Sequence, residues 1–114
     1  MDNLEMVKFI YKALDAKKAE EIKILQIDKI SSVADYFVIA GATSTTHLNA
    51  LSDELEMKLK EQGVEPLHRD GMRSGSWAVL DYISIMVHIF NKESRQYYSL
   101  EKMWSEGTEI FVEE

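Results

Sequence analysis

The chain is predicted to be an α/β domain: a mixed β-sheet of about five strands flanked by helices. Three observations carry that expectation. Leu48, Leu51, Leu55 and Leu59 recur at helical spacing, which puts them on one stripe. Tyr36 to Ala40 is a short, unbroken apolar run rich in strand formers, as in a strand covered on both faces. Trp77–Asp81 and Ser84–Phe90 are two further strand-like runs separated by a tight connection, the pattern of antiparallel neighbours.

The elements follow in order. Leu4, Val7, Ile10/Tyr11 and Leu14 have helical spacing, and Asp2 with Glu5 resembles a capping box. Lys17 and Lys18 suit the negative end of that helix. Glu21 to Asp28 sets Ile22, Ile24 and Gln26 against Lys23, Leu25 and Ile27, predicting a strand buried mainly on one side. Gly41-Ala42-Thr43-Ser44 reads as a turn into the second helix, which Ser44 or Thr45 caps and Gly63 ends in a left-handed conformation. After Pro66, Leu67–Arg69 reads as a short strand and Asp70-Gly71 as a turn. In the strand pair, Ile83, Ile85, Val87 and Ile89 are assigned one face, and Ser84, Met86, His88 and Phe90 the other. Glu93 to Trp104 reads as helical or turn-like, and Thr108–Val112 as an edge strand. There is no linker, repeat or low-complexity stretch.

Composition narrows the function. At 114 residues the chain fits one domain, residues 1–114, large enough to bury a core unaided. With no cysteine, disulfide scaffolds, thiolate zinc sites and cysteine nucleophiles are excluded. The start, Met1-Asp2-Asn3-Leu4-Glu5, is unlike a signal peptide. No apolar run approaches the ~20 residues of a membrane-spanning helix, so a cytoplasmic protein with no membrane partner is expected. Thirteen basic against twenty acidic residues give a net charge of −7. That sign disfavours direct binding of nucleic acid and suits a basic protein partner, although solubility alone already accounts for it.

Candidate chemistry can be tested residue by residue. Gly41–Ser44 lies between a strand and a helix, where free amides bind anions. It lacks the lysine of a phosphate loop and the glycine spacing of a dinucleotide fingerprint. The same loop resembles the glycine-serine turn of nucleotidyltransferases, but no Asp-x-Asp pair follows to hold magnesium. Asp81 stands alone and Asp35 precedes the strand. A serine triad from Ser44, His47 or His88, and Asp35 or Asp81 lacks the nucleophile-elbow sequence. His47, His68 and His88 match no metal-ligand spacing. His47 near a helix start reads as solvent-facing or locally bonded, and His88 as a core-edge residue paired with a neighbour such as Asp81 or a backbone group. No catalytic residue, metal or cofactor is expected. What is left is an aromatic block, Trp77, Tyr82, Phe90, Tyr97, Tyr98 and Trp104, with Arg73 and Arg95. Trp, Tyr and Arg dominate interface energetics, so the block suits a protein-docking face, or an interface between two copies in a homodimer.

Two sets of residues resemble a known family. Ser32-Val33-Ala34-Asp35-Tyr36-Phe37-Val38-Ile39-Ala40, then Thr43-Ser44 and His47, are similar to the N-terminal signature of the ribosomal silencing factor (iojap-related) family. Trp77-x-x-Leu80-Asp81-Tyr82, Val87-His88-Ile89-Phe90 and Arg95-x-Tyr97-Tyr98-x-Leu100-Glu101-x-Met103-Trp104 resemble its second half in order and spacing. The resemblance spans about residues 4 to 106. It implies a nucleotidyltransferase-like fold without catalytic carboxylates. It also implies binding to the large ribosomal subunit through that subunit's ribosomal protein fourteen, which blocks subunit joining and lowers translation when nutrients are scarce. Organellar relatives act in large-subunit assembly. Three departures stand out: Thr46 replaces a frequent arginine, Asp70-Gly71 a usual Glu-Gly, and Ile83-Ser84 a common Gly-Asp in the hairpin turn. The expected partner-binding residues are Trp77, Asp81, Met86, His88, Arg95, Tyr97 and Tyr98. Trp77, Met86 and Tyr98 would bury apolar area, Asp81 would pair with a cation of the partner, and Arg95 and His88 would orient or brace the face. Leu80, Leu100 and Trp104 are assigned to the core.

Overall fold

The computed structural model describes residues 2–29, 32, 34–71, 77–91 and 108–112. The first helix, α1 (Asn3–Ala16), starts where the Asp2 carboxylate accepts the Glu5 amide at 2.8 Å. It ends where Lys18 adopts φ 64°, with Lys18 N–H bonding Asp15 O and Ala19 N–H bonding Leu14 O. That pair of bonds absorbs carbonyls the helix end would otherwise leave open. The second helix, α2 (Thr45–Glu61), starts on Ser44, whose side chain accepts the His47 amide at 3.0 Å. Gly63, at φ 79°, turns the chain out by the same two bonds, from Gly63 N–H to Lys60 O and from Val64 N–H to Leu59 O. Both N-caps and the Gly63 exit agree with the sequence reading.

Six strands form one mixed sheet: β1 (Glu20–Gln26), β2 (Tyr36–Ala42), β3 (His68–Asp70), β4 (Trp77–Asp81), β5 (Ile85–Asn91) and β6 (Thr108–Ile110). Their spatial order is β3-β4-β5-β2-β1-β6. Only β2 and β5 run parallel; every other neighbouring pair is antiparallel. The count exceeds the predicted five because both short edge segments, β3 and β6, join the ladder. Gly41 and Ala42, expected in a turn, extend β2 to seven residues.

Both helices cover one face. Leu48, Leu51, Leu55 and Leu59 from α2 and Val7, Ile10 and Leu14 from α1 pack with Val38, Ala40, Leu80, Val87 and Ile89 of the sheet. Leu80 is in the core, as expected. The opposite face carries a second cluster of Leu25, Ile27, Ala34, Phe37, Ile39 and Phe90, with Trp77 and Met86 packed on it. Two expectations are corrected here. Strand β1 is not buried mainly on one side: Ile24 enters the helix-side core and Leu25 the other. A bulge between Glu20 and Lys23, with Glu21 at φ 50°, re-aims the strand. Ile83 does not share the face of Ile85, Val87 and Ile89. It lies in the β4–β5 turn at φ 74° and is 66% exposed.

Among the described residues, no helix is long and apolar enough to cross a membrane.

Candidate functional site: an aromatic sheet face

Alternation along β4 and β5 places Trp77, Val79 and Asp81 beside Met86, His88 and Phe90 on the face away from the helices. The register pairs Trp77 with Phe90, Val79 with His88 and Asp81 with Met86. Phe37 and Ile39 of β2 continue the same face opposite Met86 and His88. The Trp77 and Phe90 rings stack with centroids 5.6 Å apart and planes within 11°. His88 joins them at 6.0 Å from Trp77 and 6.1 Å from Phe90, and Phe37 tilts onto His88 at 4.8 Å. Such offset aromatic arrangements add to the energy of simple burial.

His88 is the polar centre of this stack and is only 5% exposed. The Trp77 indole N–H donates to its Nδ1 at 3.3 Å. An indole nitrogen only donates, so the imidazole proton is on Nε2, and that buried donor has no hydrogen-bond partner among the described residues. Burial drives the His88 pKa down to about 4, because the charged ring would lose its hydration. The ring is therefore neutral at physiological pH. The expected pairing with Asp81 is corrected: the Asp81 carboxylate instead accepts the Ile83 amide at 2.8 Å and fastens the β4–β5 turn.

Trp77, Asp81 and Met86 are half-buried around this centre, and His88 lies beneath them. Four of the seven residues expected at a partner face are thus on one surface. Arg95, Tyr97 and Tyr98 lie outside the described residues, as do Arg73, Leu100 and Trp104. Sequence reasoning missed Phe37 as a member of the stack, because the pairing of β2 with β5 is parallel and non-local.

The alternative chemistries acquire definite geometry. His47 is half-buried and locally bonded, as one of the two expectations had it, and it is not aimed at Ser44. Its Nδ1 accepts the Thr43 amide at 3.0 Å, so its Nε2–H donates to Lys17 O at 2.8 Å and ties the end of α1 to the β2–α2 turn. Ser44 Oγ caps the helix, and Asp35 holds Asn3 Nδ2 at 3.4 Å. None of these bonds links a serine hydroxyl to an imidazole and a carboxylate. The amides of Thr43 and His47, candidates for an anion cradle, are already engaged. Among the described residues, no three His, Asp or Glu side chains converge on a metal position.

Fold and face together define a class of protein: an α/β sheet domain whose distinctive side chains form a packed aromatic surface rather than a converging set of reactive groups. Comparison with known proteins gives that class its identity. The chain belongs to the ribosomal silencing factor family: the family model described as "Ribosomal silencing factor during starvation" matches residues 1–114. A ribosomal silencing factor RsfS of Halalkalibacterium halodurans is 34% identical over 113 residues, which cover 99% of this chain and 97% of that one. The crystal structure of protein CV0518 from Chromobacterium violaceum superposes with a TM-score of 0.89 at 29% identity, covering 100% of this chain and 95% of the other. The mouse protein named "Mitochondrial assembly of ribosomal large subunit protein 1" is 28% identical over 102 residues, which are 87% of this chain and 45% of the mouse protein. Membership places the chain among regulatory proteins of translation.

Proposed function

We propose that this chain is a cytoplasmic translational repressor acting as a steric block. It binds the large ribosomal subunit through that subunit's ribosomal protein fourteen and prevents the small subunit from joining when nutrients are limiting. The scaffold is nucleotidyltransferase-like but lacks catalytic carboxylates, and occupancy of the joining surface needs no turnover. The observation that carries this reading is the aromatic face of β4 and β5, set on a chain of net charge −7 that belongs to this family. Trp77 and Met86 supply apolar area, with Tyr98 assigned to the same role. Asp81 faces a cation of the basic partner, His88 braces Trp77 from beneath, and Arg95 and Tyr97 complete the face.

Two substitutions test it by co-sedimentation with purified large subunits. Trp77→Ala weakens binding by about 2 kcal/mol or more. Because Trp77 also stacks on Phe90 and bonds His88, the folded fraction is checked by circular dichroism in the same samples. Asp81→Asn keeps an oxygen for the Ile83 amide and removes only charge, so it weakens binding most at low salt. Undiminished co-sedimentation of folded Trp77→Ala would remove this face from the account. The name of the mouse relative favours a second reading, assembly of the large subunit, which predicts accumulation of immature subunits when the protein is absent.

A further inference from the structure

Adjoining the aromatic face at Asp81, one pole of the domain combines exposed apolar side chains with carboxylates that no cation among the described residues neutralises. A chain of hydrogen bonds fixes its members together. Asn3 Nδ2 donates to Asp35, the Asp35 and Tyr36 amides donate to Ser84 O, the Ile83 amide donates to Asp81, and the Leu67 amide donates to Asp81 O at 2.7 Å. The start of α1, the entry to β2, the β4–β5 turn and the approach to β3 therefore meet at one end of the sheet.

On that end Ile83 is 66% exposed, Leu67 59% and Leu4 42%. These are three of the five large hydrophobic residues left open among the described ones. Among the described residues, Asp2, Asp35 and Asp81 accept only from neutral donors, namely the Glu5 amide, the Asn3 side chain and the Ile83 amide. None of the three takes part in the ion pairs described, which occupy Arg69 with Asp53 and Glu56, Lys58 with Glu54, and Lys60 with Glu65. Asp28 and Lys29 at the end of β1 offset each other in formal charge.

The composition of the Ile83 turn makes the exposure pointed. A β-branched residue at φ 74° is costly, since its Cβ crowds the following carbonyl. A glycine would serve the turn without that cost and would remove the apolar side chain. The isoleucine buries only about a third of its surface in return.

We propose that this pole is a second docking patch, taking a cationic protein segment of the large ribosomal subunit that carries an apolar side chain. The apolar side chain would seat between Leu67 and Ile83, and its basic neighbours would meet Asp35 and Asp81. Charge selects this occupant: the three carboxylates repel a phosphodiester backbone and attract lysine or arginine. The inference rests on the reading that the large subunit is the partner, and it extends the contact region past Asp81, the edge of the aromatic face, to Leu67, Ile83 and Asp35.

The test measures affinity for purified large subunits by fluorescence anisotropy of the labelled chain, at two salt concentrations. Ile83→Gly is the informative variant, since it relieves the left-handed strain; its melting temperature, expected to stay level or rise, is measured in the same samples. The expected result is about tenfold weaker binding for Ile83→Gly and for Leu67→Ser, and a shallower salt dependence for Asp35→Asn. Wild-type affinity in both apolar variants, alongside weakened Trp77→Ala, overturns the patch and leaves the repressor reading standing. Loss of self-association in Ile83→Gly with subunit binding unchanged assigns the patch to a second copy of the chain and equally overturns the proposal. Failure of the wild-type chain to bind removes the repressor reading and the patch with it.

Discussion

Acidification should expose the energetic role of His88. The imidazole is neutral inside an aromatic stack, with a pKa lowered from 6.5 to about 4 by burial. In the unfolded chain it regains its ordinary pKa, so between the two values the unfolded state binds the additional proton. Stability from this group is therefore complete above pH 6.5 and declines as pH falls through the window towards 4. Integrating over that window gives a loss of about 2 kcal/mol by pH 5 and about 3 kcal/mol by pH 4. The assay is urea unfolding followed by tryptophan fluorescence at pH values of about 7.5, 6, 5 and 4, comparing the wild type with His88→Phe. Phenylalanine fits an aromatic stack and does not titrate. Its fixed cost, from leaving the Trp77 indole without its acceptor, is the same at every pH. Carboxylate titration is common to both chains and cancels in the difference. The stability difference, wild type minus His88→Phe, should shift by about 3 kcal/mol in favour of the variant on going to pH 4. Parallel loss of stability in both chains, or an NMR titration of His88 centred near 6.5, would refute the reasoning.

Three further substitutions probe the fold that carries the face. Gly71 sits at φ 79°, and a Cβ there would overlap the carbonyl of Trp77; Gly71→Ala should cost at least about 2 kcal/mol in chemical denaturation, and a neutral result would contradict the described β3–β4 approach. The Tyr82 hydroxyl is buried without a partner, and burial, followed by the field of Glu56, raises its pKa. Tyr82→Phe should therefore leave stability unchanged or raise it by about 1 kcal/mol, and a clear drop in melting temperature would mean that the hydroxyl is bonded. His47→Ala severs the ties to Thr43 N–H and Lys17 O; a loss of about 2 kcal/mol is expected, with faster amide exchange at the end of α1.

Local patterns in the sequence identified faces well and partners poorly. The leucine stripe of α2, the two N-caps and the left-handed Gly63 follow from residues within a few positions of one another, and the structure places them as predicted. The β4–β5 pairing is also local, and its alternation correctly set Met86, His88 and Phe90 against Ile85, Val87 and Ile89. Alternation does not say what lies across the sheet. The parallel register that brings Phe37 to His88, and the order that buries both faces of β1, depend on contacts between distant segments. His88 lies opposite Val79 rather than Asp81 and meets the Trp77 indole, while the Asp81 carboxylate bonds the Ile83 amide of the turn. Periodicity assigns Ile83 to the strand face because a β-branched residue reads as a strand former, whereas the family resemblance, with Gly-Asp at Ile83-Ser84, points to the turn that the structure shows. The meeting of that turn with Leu67, Asp35 and the start of α1 depends on contacts between distant segments, which the sequence does not display.

The central claim is that occupying the large subunit prevents joining. Purified large subunits are saturated with the chain, small subunits are added, and joined particles are separated on sucrose gradients while the bound protein is measured in each fraction. The account predicts that joined particles fall in proportion to occupancy, and that folded Trp77→Ala restores joining as its occupancy drops. Joined particles that form in full and still carry the protein would contradict it.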